Sequence, residues 1–316
     1  MKHILILGGG YIGRALHDHL ISVKSMSSCL LSRSHNNSID YTKKHDLRSW
    51  ITSWSKLAKA GKAPEFNRPD FIINACGYTG RPNVDACETD REATWYYNVV
   101  AATNIQSVAD DLGIKVIHIS SGCIYTGYSK VYTEEDEPNF GLFDDASWYS
   151  KTKHAGELML KNNPHAHIMR VRMPFCGTLS ERNVLNKLRK YENIIDQVNS
   201  MTCVDDLTVF IQRFIEAMNI SGSHPGVRAG IYNVVNPHPL STHEVLDLMR
   251  EYKINNPKWN RITLSDLALM TAAPRSNCVL SDAKIRDELQ LQLPPTADSL
   301  SLAMKGIHDK LHQGSN

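Results

Sequence analysis

An open, doubly wound parallel α/β sheet with a smaller C-terminal lobe is the fold this sequence predicts, from three observations. Short apolar runs alternate with amphipathic segments through the first half of the 316-residue chain. Those runs are apolar throughout instead of alternating with polar residues, as strands covered on both faces must be. The first of them, Ile4-Leu5-Ile6-Leu7, leads directly into Gly8-Gly9-Gly10-Tyr11-Ile12-Gly13, a turn and the start of a helix. Strands separated by helices imply parallel pairing through right-handed crossovers.

Residues 4–7 are the first strand, and the helix from about Gly10 carries Ile12, Ala15, Leu16 and Leu20 at helical spacing. Residues 28–32 read as the second strand. Residues 50–60 form an amphipathic helix, and the loop after it contains Gly61, Pro64 and Pro69. Residues 71–74 are a buried strand, 93–112 one long helix, and 115–120 the next strand. A helix over 149–160, a strand over 167–171, a helix over 205–218 and a last strand over 230–235 complete a Rossmann-type sheet. The expected division gives 1–173 with 203–235 to this dinucleotide-type domain. Residues 174–202 and 236–316 then form the lobe, over the carboxyl edge of the sheet where ligands of such folds bind.

The formal charge is +2 with 42% apolar residues, so no clustered basic surface marks a nucleic-acid partner. No stretch is long enough to cross a bilayer, and Met1-Lys2-His3 with four apolar residues is too short for a signal core. The seven cysteines are odd in number and scattered without a Cys-x-x-Cys pair, which argues against disulfides and zinc and for a reducing cytosol. The histidines form no metal-spaced cluster, so no metal is expected.

In Gly8-x-Gly10-x-x-Gly13 the first glycine permits the turn, the second admits a pyrophosphate, and the third lets helix and strand pack closely. Tyr11 and Ile12 belong to the same turn, and Asn74-Ala75 ends a strand facing the same cofactor site. An NAD site carries an acid after the second strand; here that place holds Ser32-Arg33-Ser34, with Arg14 just past the last glycine. A guanidinium there suits a 2′-phosphate, so NADP(H) is expected over NAD(H).

Farther on, Trp148-Tyr149-Ser150-Lys151-Thr152-Lys153 puts a phenol and an ammonium one helical turn apart. A nearby cation favours phenolate, so Lys153 is expected to lower the Tyr149 pKa and ease its proton transfer. The strand over 115–120 ends in Ser121-Gly122-Cys123, placing Ser121 to donate to a substrate carbonyl.

This Ser, Tyr and Lys set resembles the extended short-chain dehydrogenase/reductase family, whose helix asparagine is matched by Asn98. Longer strings are similar to the nucleotide-sugar epimerase/reductases within it. They are 74–85 (Asn-Ala-Cys-Gly-Tyr-Thr-Gly-Arg-Pro-Asn-Val-Asp), 133–140, 170–174 (Arg-Val-Arg-Met-Pro), 199–202 and 273–277. The group includes bifunctional 3,5-epimerase/4-keto-reductases of rhamnose donors and is related to dTDP-4-dehydrorhamnose reductase and GDP-fucose synthase. The chain departs from it at the glycine turn, at Ser121 where plant members usually carry Thr, and in an insert over 141–147.

The resemblance implies NADPH-dependent reduction of a nucleotide-diphospho-4-keto-6-deoxyhexose, with homodimers formed through helices flanking the sheet. It also makes Asn98 a support for Lys153 and a proton-relay water. Cys123 is where epimerising relatives carry a thiol and simple reductases do not. A thiolate base there, with Lys187 as the acid by position, would invert carbons next to the C4 ketone. Arg275 offers a planar fork to a diphosphate, and Thr79, Arg81, Asn83, Asn199 and Thr202 are expected along the substrate pocket. Two other readings compete: a plain 4-keto-reductase, and a non-catalytic NADP-binding regulatory subunit. The intact Ser121, Tyr149 and Lys153 weigh against the second.

Overall fold

The computed structural model describes residues 1–32, 39–59, 68–218, 227–254 and 259–312. Arg33 and the loop around Gly61 and Pro64 lie outside these residues. The chain opens with β1 (Lys2–Leu7), α1 (Tyr11–Ile21), β2 (Met26–Leu31), α2 (Lys44–Lys59) and β3 (Phe71–Asn74). Short helices α3 (Ala86–Thr89) and α4 (Arg91–Trp95) then lead through a widened π-type turn, Tyr96–Val100, into α5 (Ala101–Leu112). The single regular helix expected over 93–112 is thus interrupted, and the interruption carries Asn98. Next come β4 (Lys115–Ser121), α6 (Trp148–Leu160) and β5 (Ala166–Val171).

These strands and a later one, β8 (Gly230–Asn233), form a six-stranded sheet in the order β2-β1-β3-β4-β5-β8, every pair parallel. The order reverses direction beside β1, which makes the carboxyl ends of β1 and β3 the switch point where a ligand crevice opens. The unbroken apolar run of β1 has a simple cause. Ile4 and Ile6 pack with Leu16 of α1, while Leu5 and Leu7 face Leu47 and Ile51 of α2 and Ile105 of α5. Both faces of the strand are covered, and each such buried side chain contributes roughly 1.5–3 kcal/mol.

After β5 come α7 (Val184–Leu188), β6 (Asn193–Ile194), β7 (Val198–Asn199), α8 (Val204–Ala217) and β8 (Gly230–Asn233). Helix α8 returns to the sheet, burying Leu207, Phe210, Ile211 and Phe214 in the same cluster as Ile4 and Ile6. The rest is β9 (Leu240–Ser241), α9 (Thr242–Glu251), β10 (Asn260–Arg261), α10 (Leu264–Met270) and α11 (Thr296–His312). A separate cluster joins Phe175, Leu185, Met201, Val245, Leu246, Met249, Leu300 and Met304, with two-stranded pairings β6–β10 and β7–β9 beside it. Helix α9 is started by a reciprocal cap, Ser241 accepting from the Glu244 N–H and Glu244 from the Ser241 N–H. The chain after Asn236 divides its packing. Val245 and Met304 join the lobe, whereas Ile285 and Leu293 pack with the sheet and Leu280 bridges to Tyr132.

Candidate active site

The glycine turn has the geometry its sequence requires. Gly8 sits at φ +108°, a conformation side chains rarely adopt, and its N–H donates to the Leu31 carbonyl at 2.9 Å. A Cβ on Gly13 would lie 1.9 Å from the Gly8 carbonyl oxygen, so α1 rests directly on the turn. At Gly10 the opposite holds: a Cβ would meet nothing within 4 Å, and this residue, which caps the N-terminus of α1, faces an open cleft. Bare backbone at a helix N-terminus fits the pyrophosphate of a dinucleotide. Arg14 braces the turn, its Nε donating to the Gly9 carbonyl at 2.8 Å, and Ser32 lies on the same wall. Tyr11 and Ile12 also line the cleft; the Tyr11 hydroxyl donates to the Cys176 sulfur at 3.0 Å, joining the turn to the chain after β5.

The cleft measures about 1530 Å³ and runs from this turn to Arg275. Ala75 is on its wall. Asn74 is not, contrary to expectation: it is 1% exposed, its amide bonding His118 Nδ1 at 3.0 Å and accepting from the Cys76 N–H at 3.1 Å. It fixes the backbone that bears Ala75.

Ser121 ends β4, and Ser147 caps α6 by accepting from the Ser150 N–H at 3.1 Å, which sets Tyr149 in the first turn. Ser121, Tyr149, Lys153 and Cys123 all line the cleft. Ser121 accepts from the Cys123 N–H at 3.2 Å and shares a side-chain hydrogen bond with Tyr149. Lys153 is buried, with Nζ donating to the Ile119 carbonyl at 3.0 Å. Burial pushes this lysine down to about 8, with Glu157 one turn away opposing the shift.

The expected Lys-to-Tyr effect needs correction. Burial, and after it the Cys123 sulfur, raise the Tyr149 phenol above its ordinary value, while the Ser121 hydroxyl and then the Arg182 charge pull it down. Helical spacing brings Lys153 onto the same face of α6, and its Nζ bonds the Ile119 carbonyl of β4. Asn98 lines the same cleft. Its carboxamide accepts from the Tyr78 N–H at 2.8 Å and donates to the Tyr78 carbonyl and Thr152 hydroxyl, each at 3.0 Å. Those bonds tie the loop after β3 to α6, and none goes to Lys153.

Helix α7 is capped by Asn183, whose side chain accepts from the Leu185 N–H at 3.1 Å, and carries Lys187 into the cleft. Burial, then the Arg182 and Arg275 charges, hold Lys187 below its ordinary value while Cys123 opposes them. Cys123 is half-buried and accepts from Arg172 Nη1 at 3.5 Å. Thr79 and Arg81 line the cleft, and Thr79 accepts from Arg182 Nη1 at 2.8 Å. Sequence reasoning missed both Arg182 and Arg172; the only signal was that Arg172 lies in the string 170–174 and Arg182 five residues before Lys187.

Three expected substrate contacts turn out to be struts. Asn83 accepts from the Asp85 N–H at 2.8 Å and is not on the cleft wall. Asn199 accepts from Arg172 and from the Cys278 N–H, and donates to Asn277 at 3.1 Å. Thr202, fully buried, donates to the Val234 carbonyl at 2.7 Å. Arg275 is on the wall, but its fork is already held by Asp85, Nη1 to Oδ1 at 2.9 Å and Nη2 to Oδ2 at 2.8 Å. No cluster able to hold a metal ion occurs among the described residues, and no helix among them is long and apolar enough to cross a membrane.

Sheet, glycine turn and the Ser121–Tyr149–Lys153 set together define a short-chain-reductase type of site on a doubly wound sheet. Comparison narrows the class: the chain belongs to the family described as RmlD substrate binding domain, matched over residues 1–308. It is 35% identical over 229 residues to a bifunctional dTDP-4-dehydrorhamnose 3,5-epimerase/dTDP-4-dehydrorhamnose reductase of Arabidopsis thaliana, covering 70% of this chain and 72% of that one. A UDP-rhamnose synthase from Acanthamoeba polyphaga mimivirus superposes with a TM-score of 0.78 at 19% identity, covering 97% of this chain and 100% of that one. A dTDP-4-dehydrorhamnose reductase of Bacillus anthracis, solved in complex with NADP, gives a TM-score of 0.72 at 21% identity, covering 98% and 100%. At those identities the two solved structures share the fold.

Proposed function

We propose that this chain is an NADPH-dependent nucleotide-sugar 3,5-epimerase/4-keto-reductase. It would convert a nucleotide-diphospho-4-keto-6-deoxyhexose into a 6-deoxy-L-hexose donor such as UDP- or dTDP-L-rhamnose. One observation carries the reading: Ser121, Tyr149 and Lys153 share a single cleft with Cys123 and Lys187, and with the glycine turn. A plain reductase has no use for the second pair, and a binding module has none for the first.

Gly10 and the N-terminus of α1 would hold the cofactor pyrophosphate, Arg14 with Arg33 the 2′-phosphate, and bound NADPH supplies hydride to C4. Tyr149 and Ser121 hold the C4 oxygen between two hydroxyl donors, which also stabilises an enolate there. Cys123 takes the C3 or C5 proton, and Lys187 supplies one from the other face. Tyr149 then gives its proton to the C4 oxygen as the ketone becomes an alcohol. Lys153 holds positive charge beneath the site. Arg182, Arg81 and the paired Arg275 surround the place for the diphosphate.

The test is incubation with UDP- or dTDP-4-keto-6-deoxyglucose and NADPH, followed by NMR of the product. An L-rhamno product supports the proposal. A D-configured 6-deoxy sugar, or NADPH oxidation only with an already epimerised 4-keto sugar, would make the protein a plain reductase, and no NADPH oxidation with any of these substrates would make it a binding subunit.

A further inference from the structure

Arg172 is among the largest fully buried side chains of the protein, at 1% exposure, directly after β5. Its guanidinium donates to the Ser276 hydroxyl at 3.0 Å, the Ser276 carbonyl at 2.8 Å, the Gly122 carbonyl at 3.5 Å and the Asn199 amide oxygen. Its remaining bond, from Nη1, goes to the Cys123 sulfur at 3.5 Å, and Nε has no partner. None of these partners is a carboxylate, and no ion pair joins Arg172 to one among the described residues. The contrast with Arg170, two residues earlier, is direct. Arg170 is equally buried and is gripped by the Glu157 carboxylate at 2.8 Å.

A buried guanidinium without a counter-charge is costly unless something beside it becomes negative. Of its five partners, only the Cys123 thiol can do so. Two other ionisable groups face Arg172, and both are held neutral. Burial raises the fully buried Cys278 thiol despite the arginine, and likewise raises Tyr128, whose hydroxyl donates to the Val198 carbonyl at 2.7 Å. Around the sulfur itself stand Tyr149 and Lys153 from α6, Lys187 from α7 and Cys278. Arg172 is the cation bonded to it. The arginine also stands behind the cleft wall, whereas Cys123 is on it.

We infer that Arg172 is a positioning residue which holds Cys123 as a thiolate facing the cleft, the form a carbon-acid base requires. This rests on the epimerase reading for its purpose, though not for its chemistry. In the step it serves, sulfur takes the proton from C3 or C5 and the C–H electron pair moves onto the C4 oxygen as an enolate. The Lys187 ammonium then returns a proton to the opposite face of that carbon. Thiol and amine afterwards trade protons with water, restoring thiolate and ammonium, and nothing is oxidised or reduced.

The inference is tested by the rate of Cys123 alkylation with iodoacetamide, read on its own peptide by mass spectrometry. An ordinary thiol slows roughly fiftyfold between pH 8.5 and 6.5, following its thiolate fraction. Native protein should slow by no more than about tenfold, while the same cysteine in the urea-unfolded chain slows as an ordinary thiol. Arg172→Gln should restore the ordinary dependence and Arg172→Lys should keep the native one, a split that loss of packing alone does not produce. Arg172→Gln should also abolish deuterium uptake at C3 and C5 while still reducing an already epimerised 4-keto sugar. Native protein behaving like the unfolded chain overturns the inference, even if the variants fail to fold. So does an Arg172→Gln profile matching the native one. A shallow native profile with no deuterium uptake by wild type would keep the arginine–thiolate pair and remove the epimerase.

Discussion

Arg275 and Asp85 stand 190 residues apart in sequence, yet their side chains meet in a two-pronged ion pair beside the cleft, at 2.9 and 2.8 Å. Asp85 also accepts from the Ala273 N–H at 2.9 Å, so one carboxylate fastens the loop after β3 to the strap that follows α10. The strap then continues through Ser276, whose hydroxyl donates to the Tyr125 carbonyl and accepts from Arg172.

That geometry predicts an acid-sensitive fastening. Burial tends to raise the Asp85 pKa, but bonds from Arg275 and Ala273 outweigh it and hold the group below its ordinary value. Its stabilising contribution is therefore full above the ordinary carboxylate range and is lost as pH falls through the depressed value. Asp85→Asn should lower stability by about 1 kcal/mol at neutral pH, as for a partly exposed pair, and by less in acid. Thermal unfolding of both proteins against pH checks this; an equal difference at every pH would deny the pair its role.

Tyr149→Phe should remove the proton donor to C4 and slow reduction by about 10²–10⁴-fold. NADPH binding, followed by fluorescence titration, should be nearly unchanged because the glycine turn is untouched. Wild-type turnover in the variant would place the donor elsewhere.

Lys153 gives a pH dependence of definite sign. Burial pushes it down to about 8, so its charge is present below that pH and disappears above it. Reduction should decline on the alkaline side with a limb near pH 8. Lys153→Arg, charged throughout, should lose the limb even if it is slower. A rate flat to pH 10 in wild type would mean that this charge is not used.

What could be read from the sequence was local. The glycine turn, the apolar strands and the Tyr149–Lys153 spacing each sit within a few residues, where backbone sterics and helical periodicity decide the outcome. What escaped was assembled over distance. Thr79 meets Arg182 across 103 residues, and Arg172 meets Ser276 across 104. Nothing in Arg170-Val171-Arg172 says that the first arginine takes a carboxylate and the second a sulfur. Asn199 and Thr202 misled because short polar side chains on loops hydrogen-bond backbone as readily as ligands. The Lys153 expectation left out burial, which raises the phenol more than its neighbours lower it.

The central claim is that one cleft both inverts and reduces the sugar, and solvent deuterium tests it most directly. Wild type in D₂O with the 4-keto-6-deoxy sugar nucleotide and no NADPH should place deuterium at C3 and C5. Cys123→Ser should place none, since an alcohol is far less acidic than a thiol. It should nevertheless reduce an already epimerised substrate, because Ser121, Tyr149 and Lys153 are untouched. Equal deuterium incorporation by wild type and Cys123→Ser would contradict the account and leave the thiol as part of the cleft wall.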